Sequence, residues 1–280
     1  MENESCQSGQ KPTCEVEPKK VQRSWKRKIW RVCWITAVAL WGLSIVLVVS
    51  YKFVNPLVTP LMVHRFIEQV KDKERPVHFE RDYVSIKKIS PNVVNAVVAS
   101  EDGLFMYHYG FDVKQMKSAY RENQRGRRVR GGSTISMQTA KNAFLPHRRS
   151  YLRKAFEAYF TQLIEWVWGK KRIMEVYLNI IEFGNGIYGV EAASQHYFGH
   201  SAETLSKREA AQLAVTLPSP LKRNPGHQTS YFKSQTSVIQ GRAAKYGKIN
   251  LDARRSDLNK KYRNQETLWD FTKWWFSGKK

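Results

Sequence analysis

Apolar residues follow two patterns along this chain. The first is an unbroken run from Val32 to Tyr51, "VCWITAVALWGLSIVLVVSY", which carries no charge. About 20 residues at 1.5 Å each cross a ~30 Å hydrocarbon layer, so the run predicts a transmembrane helix. A buried core helix is rarely uncharged all round at that length. A signal-peptide core is shorter, and no small-x-small cleavage site follows. The second pattern is a 3.6-residue period that begins at Pro91, a good first-turn residue. In "LRKAFEAYFTQLIEWVW", Leu152, Phe156, Tyr159, Phe160, Leu163 and Val167 fall on one face. "RIMEVYLNIIEFG" repeats the period and stops at Gly184, read as a left-handed cap; "GVEAASQHYFG" does the same at Gly199. "SKREAAQLAVTLP" opens on a capping box, Ser206 and Glu209, and is halted by Pro218. Clear strand patterns are absent, although "VHFERDYVSI" fits an extended segment. The soluble part is therefore expected to be mainly α, one domain over about residues 60–247.

Charge places these pieces. The formal charge is +23, which points to an anionic partner: nucleic acid, an acidic lipid surface or a phosphorylated substrate. Lys19, Lys20, Arg23, Lys26, Arg27, Lys28 and Arg31 crowd one side of the apolar run, and Lys52 stands nearly alone on the other. The positive-inside rule puts residues 1–31 in the cytoplasm, 32–51 in the membrane and the remainder outside, with Trp25, Trp30 and Tyr51 at the interfaces. A basic domain on that side does not meet nucleic acid. Cys6, Cys14 and Cys33 all precede the domain, so it holds no disulfide framework. Residues 248–280 form a basic tail ending in "LWDFTKWWF". Trp269, Trp274, Trp275 and Phe276 suit docking on the domain or a membrane interface, and a loosely ordered tail fits equally.

The stretch "RGGSTISMQTAKN" concentrates donors. Between Arg121 and Lys154 lie Arg121, Arg125, Arg127, Arg128, Arg130, Lys141, Arg148, Arg149, Arg153 and Lys154, with Glu122 the one acid. Gly131 and Gly132 free a sharp turn. Ser133 or Thr134 can cap the helix that follows, leaving its first N–H groups facing outward as an anion site, with Lys141 two turns on. On charge alone a solvated basic surface fits as well. Glu101 and Asp102 end the Pro91 helix. A carboxylate beside Phe105, Tyr107 and Tyr109 suits a raised pKa and a general base. Glu157, one turn after Arg153 and Lys154, reads first as helix support. His108 reads as a core or supporting histidine. No His/Cys/Asp spacing fits a metal site, and neither a phosphate-binding P-loop nor a nucleophile elbow occurs.

Taken in order, "EDGLFMYHYGFD", "RGGSTISMQTAKN", "RKAFE", "RIMEVYLNIIEFGNGIYGVEAASQHYFG" and "SKREAAQLAVTLPSPLKRNP" resemble the five motifs of the peptidoglycan glycosyltransferase family. That family is the chain-polymerising module of bifunctional penicillin-binding proteins. The resemblance spans about residues 91–225. With no room for a transpeptidase domain after it, the chain looks like a monofunctional member anchored in a Gram-negative inner membrane. The resemblance implies a lysozyme-like α-helical domain with a small apolar subdomain resting on the bilayer. It implies that lipid II is joined into linear β-1,4 glycan strands with inversion at the anomeric carbon and release of undecaprenyl pyrophosphate. Glu101 matches the family's catalytic base and Glu157 its second glutamate. Ser133, Thr134, Gln138, Lys141, Asn142, Arg149, Arg153 and Lys154 fall in the donor and pyrophosphate region. The family often has Gln-Gln where this chain has Met137-Gln138. No cofactor is required by the resemblance, and a magnesium or manganese ion at the pyrophosphate is left open. Lipid II, the growing strand, the inner membrane and other cell-wall synthesis or division proteins are the expected partners. The rival readings are a lysozyme-like enzyme that cuts glycan strands and a membrane-tethered scaffold for acidic polymers.

Overall fold

The structure is a computed structural model and describes residues 19–72, 74, 76–126, 131–146, 150–253, 257–258 and 268–277. Two compact units divide between Leu47 and Val48. In the first, helix α1 (Lys19–Phe53) begins. Its stretch Trp25–Phe53 is long and apolar enough to cross a membrane. Trp34, Leu40, Leu43 and Val46 on it are exposed, which is unlike a core helix. Trp30 and Trp34 stack with ring centroids 6.1 Å apart.

The second unit is helical with one small sheet. In chain order it contains α2 (Pro60–Lys71), β1 (Glu80–Arg81), α3 (Pro91–Glu101), α4 (Val113–Gln124), α5 (Ile135–Phe144), α6 (Tyr151–Val167) and α7 (Gly169–Ile180). There follow β2 (Glu182–Gly184), β3 (Ile187–Tyr188), α8 (Val190–Phe198), α9 (Lys207–Thr216), α10 (Ser230–Ala243) and α11 (Leu268–Phe276). Helix α3 starts where expected, with Pro91 in the first turn and the Ser90 side chain as cap. Its Val93, Val94, Ala96, Val97 and Val98 are all buried, because α9 and α10 both pack against it. Helix α5 is held between α6 and α7. The Ser206/Glu209 capping box is present, and Gly199 ends α8 in the left-handed region at φ 75°.

Three expectations change. First, a sheet exists, in the order β1-β3-β2, with β1 parallel and β2 antiparallel to β3. Its strands are too short for alternation to register in the sequence, and β1 falls inside the "VHFERDYVSI" segment. Second, Gly184 does not cap α7. The helix ends at Ile180, Ile181 is extended at ψ 150°, and the chain runs on into β2. Third, the buried face of α6 carries Glu157, Phe160, Thr161 and Ile164, while Leu152 and Phe156 on the expected apolar face are exposed. The face that meets α5 runs through an acid and a hydroxyl, so hydrophobicity alone misplaces it.

The sheet turns at Gly186, where φ is +73° and an added Cβ would lie 1.8 Å from the His78 carbonyl oxygen. Backbone at the Glu80 N–H also donates to Gly186 O at 2.7 Å, so this approach joins β1 to the hairpin. Gly186→Ala is expected to destabilise by ~2 kcal/mol or more, since left-handed strain and a backbone clash combine. Urea unfolding followed by tryptophan fluorescence measures it.

Helix α11 docks on α4. Trp274 packs edge-on against Tyr120 at 5.6 Å, and the Lys117 and Arg121 cations sit 5.6 and 5.9 Å from its ring centre. Of the three readings open for the aromatic tail, Trp274 follows the first, docking on the domain, whereas Trp269 and Phe276 are exposed. The Trp275 side chain lies outside the described residues.

Candidate active site

Two adjacent acids at the end of α3 do different work. Asp102 is buried and caps the helix at its C-terminal end. Its carboxylate faces His108 Nε2 at 2.9 and 3.0 Å and accepts the Ile135 N–H at 3.0 Å. Thr134 caps α5, its Oγ1 accepting the Met137 N–H and donating to the Gly110 carbonyl at 2.6 Å. The Ile135 and Met137 N–H groups at the start of α5 are thus buried and satisfied within the protein. The expectation that its first N–H groups face outward to an anion is overturned, because Asp102 already occupies that end. His108 is the supporting histidine the sequence suggested.

Glu101 instead meets Gln138, which lines a cavity. Gln138 Nε2 donates to its Oε2 at 2.8 Å, and the Tyr177 hydroxyl donates to Gln138 Oε1 at 3.1 Å. Burial raises the Glu101 pKa, and neighbouring Asp102 adds to the rise. The Gln138 hydrogen bond and Lys141 act the other way without cancelling it. That is the condition of a carboxyl poised to take a proton nearer neutral pH.

Lys141 is close enough to feel both acids. Burial lowers its pKa, with Arg153 and Lys154 adding to the fall, while Glu157 and Glu101 oppose it. Glu157 is 2% exposed, and its two oxygens accept from Arg153 Nη1 at 2.7 Å and Lys154 Nζ at 2.6 Å. This is more than helix support, since a buried carboxylate needs its cations. The result is a knot of three cations and one acid across α5 and α6.

A cavity of about 190 Å³ is lined by Gln138, Lys141, Asn142, Tyr177, Arg65 and Glu182, among others. Asn142 Oδ1 is buried there without a hydrogen-bond partner among the described residues. Arg65 Nε donates to Glu182 Oε2 at 2.9 Å across 117 residues of sequence. Burial raises the Glu182 pKa, and Arg65 restrains the rise. Arg65, Tyr177 and Glu182 were missed by sequence reasoning. Tyr177 lies inside an apolar period, and Arg65 is one of several charges near the start of the domain. Only the acidic partner of a buried arginine could have signalled the pair, and it is too distant to see.

Of the residues expected at the site, Glu101, Gln138, Lys141, Asn142, Glu157, Arg153 and Lys154 converge. Thr134 turns inward as a cap. Ser133 is half-buried just before α5. Arg149 lies outside the described residues, as do Arg127, Arg128, Arg130 and Arg148. Arg121 and Arg125 line a separate cavity with Lys114, Lys117 and Trp274. Met137 is buried in a small cluster with Phe111 and Val113. Its side chain serves packing rather than the cleft.

The family model described as Transglycosylase matches residues 67–244. The chain is 50% identical over 197 residues to the "Biosynthetic peptidoglycan transglycosylase" of Caulobacter vibrioides, covering 70% of this chain and 82% of that one. It is 46% identical over 211 residues to the protein of the same name from Rhodospirillum centenum, covering 74% and 89%. For the Bacteroides thetaiotaomicron protein of that name the values are 43% over 215 residues, 76% and 86%.

Proposed function

This chain belongs to the transglycosylase family and is a glycosyltransferase of peptidoglycan synthesis, and we propose that Glu101 is its general base and the Lys141–Arg153–Lys154 group its pyrophosphate cradle. The substrate is lipid II. In the growing strand, C1 of the reducing-end muramyl unit carries the polyprenyl pyrophosphate. The 4-hydroxyl of the incoming glucosamine attacks that carbon, and Glu101 takes its proton. The C1–oxygen bond to the pyrophosphate breaks as the new glycosidic bond forms, so the anomeric centre inverts. The departing diphosphate gathers negative charge, and cations aimed at it act mainly in the transition state. Family membership leaves the lytic and scaffold alternatives without support.

The observation that carries this reading is Lys141: it lines the cleft beside Gln138, the partner of Glu101, and feels both Glu101 and Glu157. Glu157 orients Arg153 and Lys154 toward one place. Asn142, with its free acceptor, suits a hydroxyl or amide of the substrate. Ser133 and Arg149 complete the donor region by their place in the motif. Among the described residues Glu157 is engaged by two cations, and a magnesium or manganese ion at the pyrophosphate would share the phosphate charge with Lys141, Arg153 and Lys154.

Lys141→Ala is expected to lower turnover on purified lipid II by about 10²-fold, the scale of losing one transition-state donor. Its melting temperature should not fall, since the lysine removed is half-buried and its charge is disfavoured there. Normal turnover per folded molecule would take Lys141 out of the cradle.

A lipid-borne substrate requires a lipid-held enzyme. Residues 1–31 lie in the cytoplasm, 32–51 span the inner membrane, the domain over 60–247 faces the periplasm, and 248–280 is its basic, aromatic tail. The exposed Tyr151, Leu152, Phe156 and Trp166 of α6 support an apolar surface that rests on the bilayer. Basic residues near the headgroups add ~1 kcal/mol each.

A further inference from the structure

His78 and Glu80 stand two residues apart on the extended segment that enters β1, so their side chains leave the same side of the chain. Two contacts hold that segment: the His78 N–H donates to Gln69 Oε1 at 2.7 Å, and the Glu80 N–H to Gly186 O at 2.7 Å. Helix α8 presents His196 from its last turn. The Glu80 carboxylate lies between the two imidazoles, with His78 Nε2 3.0 Å from Oε1 and His196 Nδ1 3.2 Å from Oε2. One nitrogen or oxygen from each of the three lies within 4.8 Å of the others. His78 Nε2 is buried, yet it makes no well-aligned hydrogen bond among the described residues. An open cavity of about 570 Å³ lies against this group, and His227 and Asn224 line it too.

We propose that His78, Glu80 and His196 bind a divalent ion of the zinc class. Two imidazole nitrogens and one carboxylate oxygen are a borderline donor set that suits zinc and its first-row neighbours. Magnesium prefers an all-oxygen shell. Ligands at about 2.0–2.2 Å from a tetrahedral ion are about 3.4 Å apart, and one donor atom from each of the three residues already lies within 4.8 Å of the others, so side-chain rotation alone closes them on an ion. The poorly aligned His78 nitrogen is accounted for, since it would point its lone pair at the metal. The cavity leaves a fourth position for His227 or water. The ion ties β1 to the end of α8, and its role is to clamp the fold. The three ligands come from two distant segments, and for that reason no metal spacing was visible in the sequence.

The test uses the full chain in detergent, in a background where Cys6, Cys14 and Cys33 are serine so that thiols bind no zinc. After chelator treatment, zinc is titrated by calorimetry and cobalt by visible absorption. One equivalent of each is expected, with a rise in melting temperature under zinc and none under magnesium. His78→Ala and His196→Ala should each weaken zinc binding at least tenfold, whereas His64→Ala should leave it unchanged. Should His196→Ala fail to fold, His196→Gln reports the same loss. Failure to bind zinc, binding that survives both histidine changes, or an equal effect of magnesium overturns the proposal. These readouts do not depend on glycan synthesis.

Discussion

Glu101→Gln is expected to abolish most glycan synthesis, by about 10²–10⁴-fold in turnover, while raising the melting temperature. The two effects share one cause. Burial raises the pKa of Glu101, so the ionised base is held beside Gln138 at a cost to the fold. A raised folded-state pKa means that this carboxyl contributes its stability fully below the ordinary carboxylate range. The contribution is lost as pH rises through the raised value. Glutamine keeps the neutral shape at every pH and can still accept from Gln138 through its carbonyl oxygen. The variant should therefore exceed the parent in melting temperature near neutral pH, and the two should converge in acid. The same shift governs the rate, since the base must be ionised to take a proton. In the parent, turnover on lipid II should climb along an acid limb displaced above the usual carboxylate range. The lowered Lys141 pKa draws the alkaline limb down from the usual lysine range. A pH profile of single-turnover polymerisation, paired with thermal melts, reads both. Near-normal polymerisation by Glu101→Gln removes the residue from the role.

Asp102→Ala is expected to lower stability instead of raising it, by about 3–5 kcal/mol. Its carboxylate is almost fully buried and serves both His108 Nε2 and the Ile135 N–H. Alanine leaves two buried polar groups unpaired, each worth roughly 1–3 kcal/mol. Asp102→Asn retains one acceptor and should lose about half as much. Activity falls in both because α5, which carries Gln138, Lys141 and Asn142, loses the anchor of its first turn. Urea titration with tryptophan fluorescence gives the stability. Turnover per folded molecule separates this positioning from the chemistry of Glu101. An Asp102→Ala protein as stable as the parent would show that the α5 start is held by other contacts.

These neighbouring acids also mark how far sequence reasoning reached. The helices of the domain follow from period and punctuation: Pro91 opening α3, the Thr134 cap, the Ser206/Glu209 box and the Gly199 stop are all where local rules put them. The Arg153, Lys154 and Glu157 association lies within one helical turn, so it too was legible. Which of Glu101 and Asp102 turns inward was not legible in local spacing, although the family resemblance singled out Glu101. That depends on the start of α5, 33 residues further on, meeting the end of α3.

What the chain determines by itself is therefore whatever operates over a turn or two of backbone: element type, caps, the apolar run and the ordered motifs. Tertiary structure decided the rest. It turned the α5 N-terminus inward, set Tyr177 behind Gln138, paired Arg65 with Glu182 and gathered His78, Glu80 and His196. Those outcomes depend on burial and on contacts between segments far apart in sequence, and no local spacing encodes the direction in which a packed helix presents its side chains.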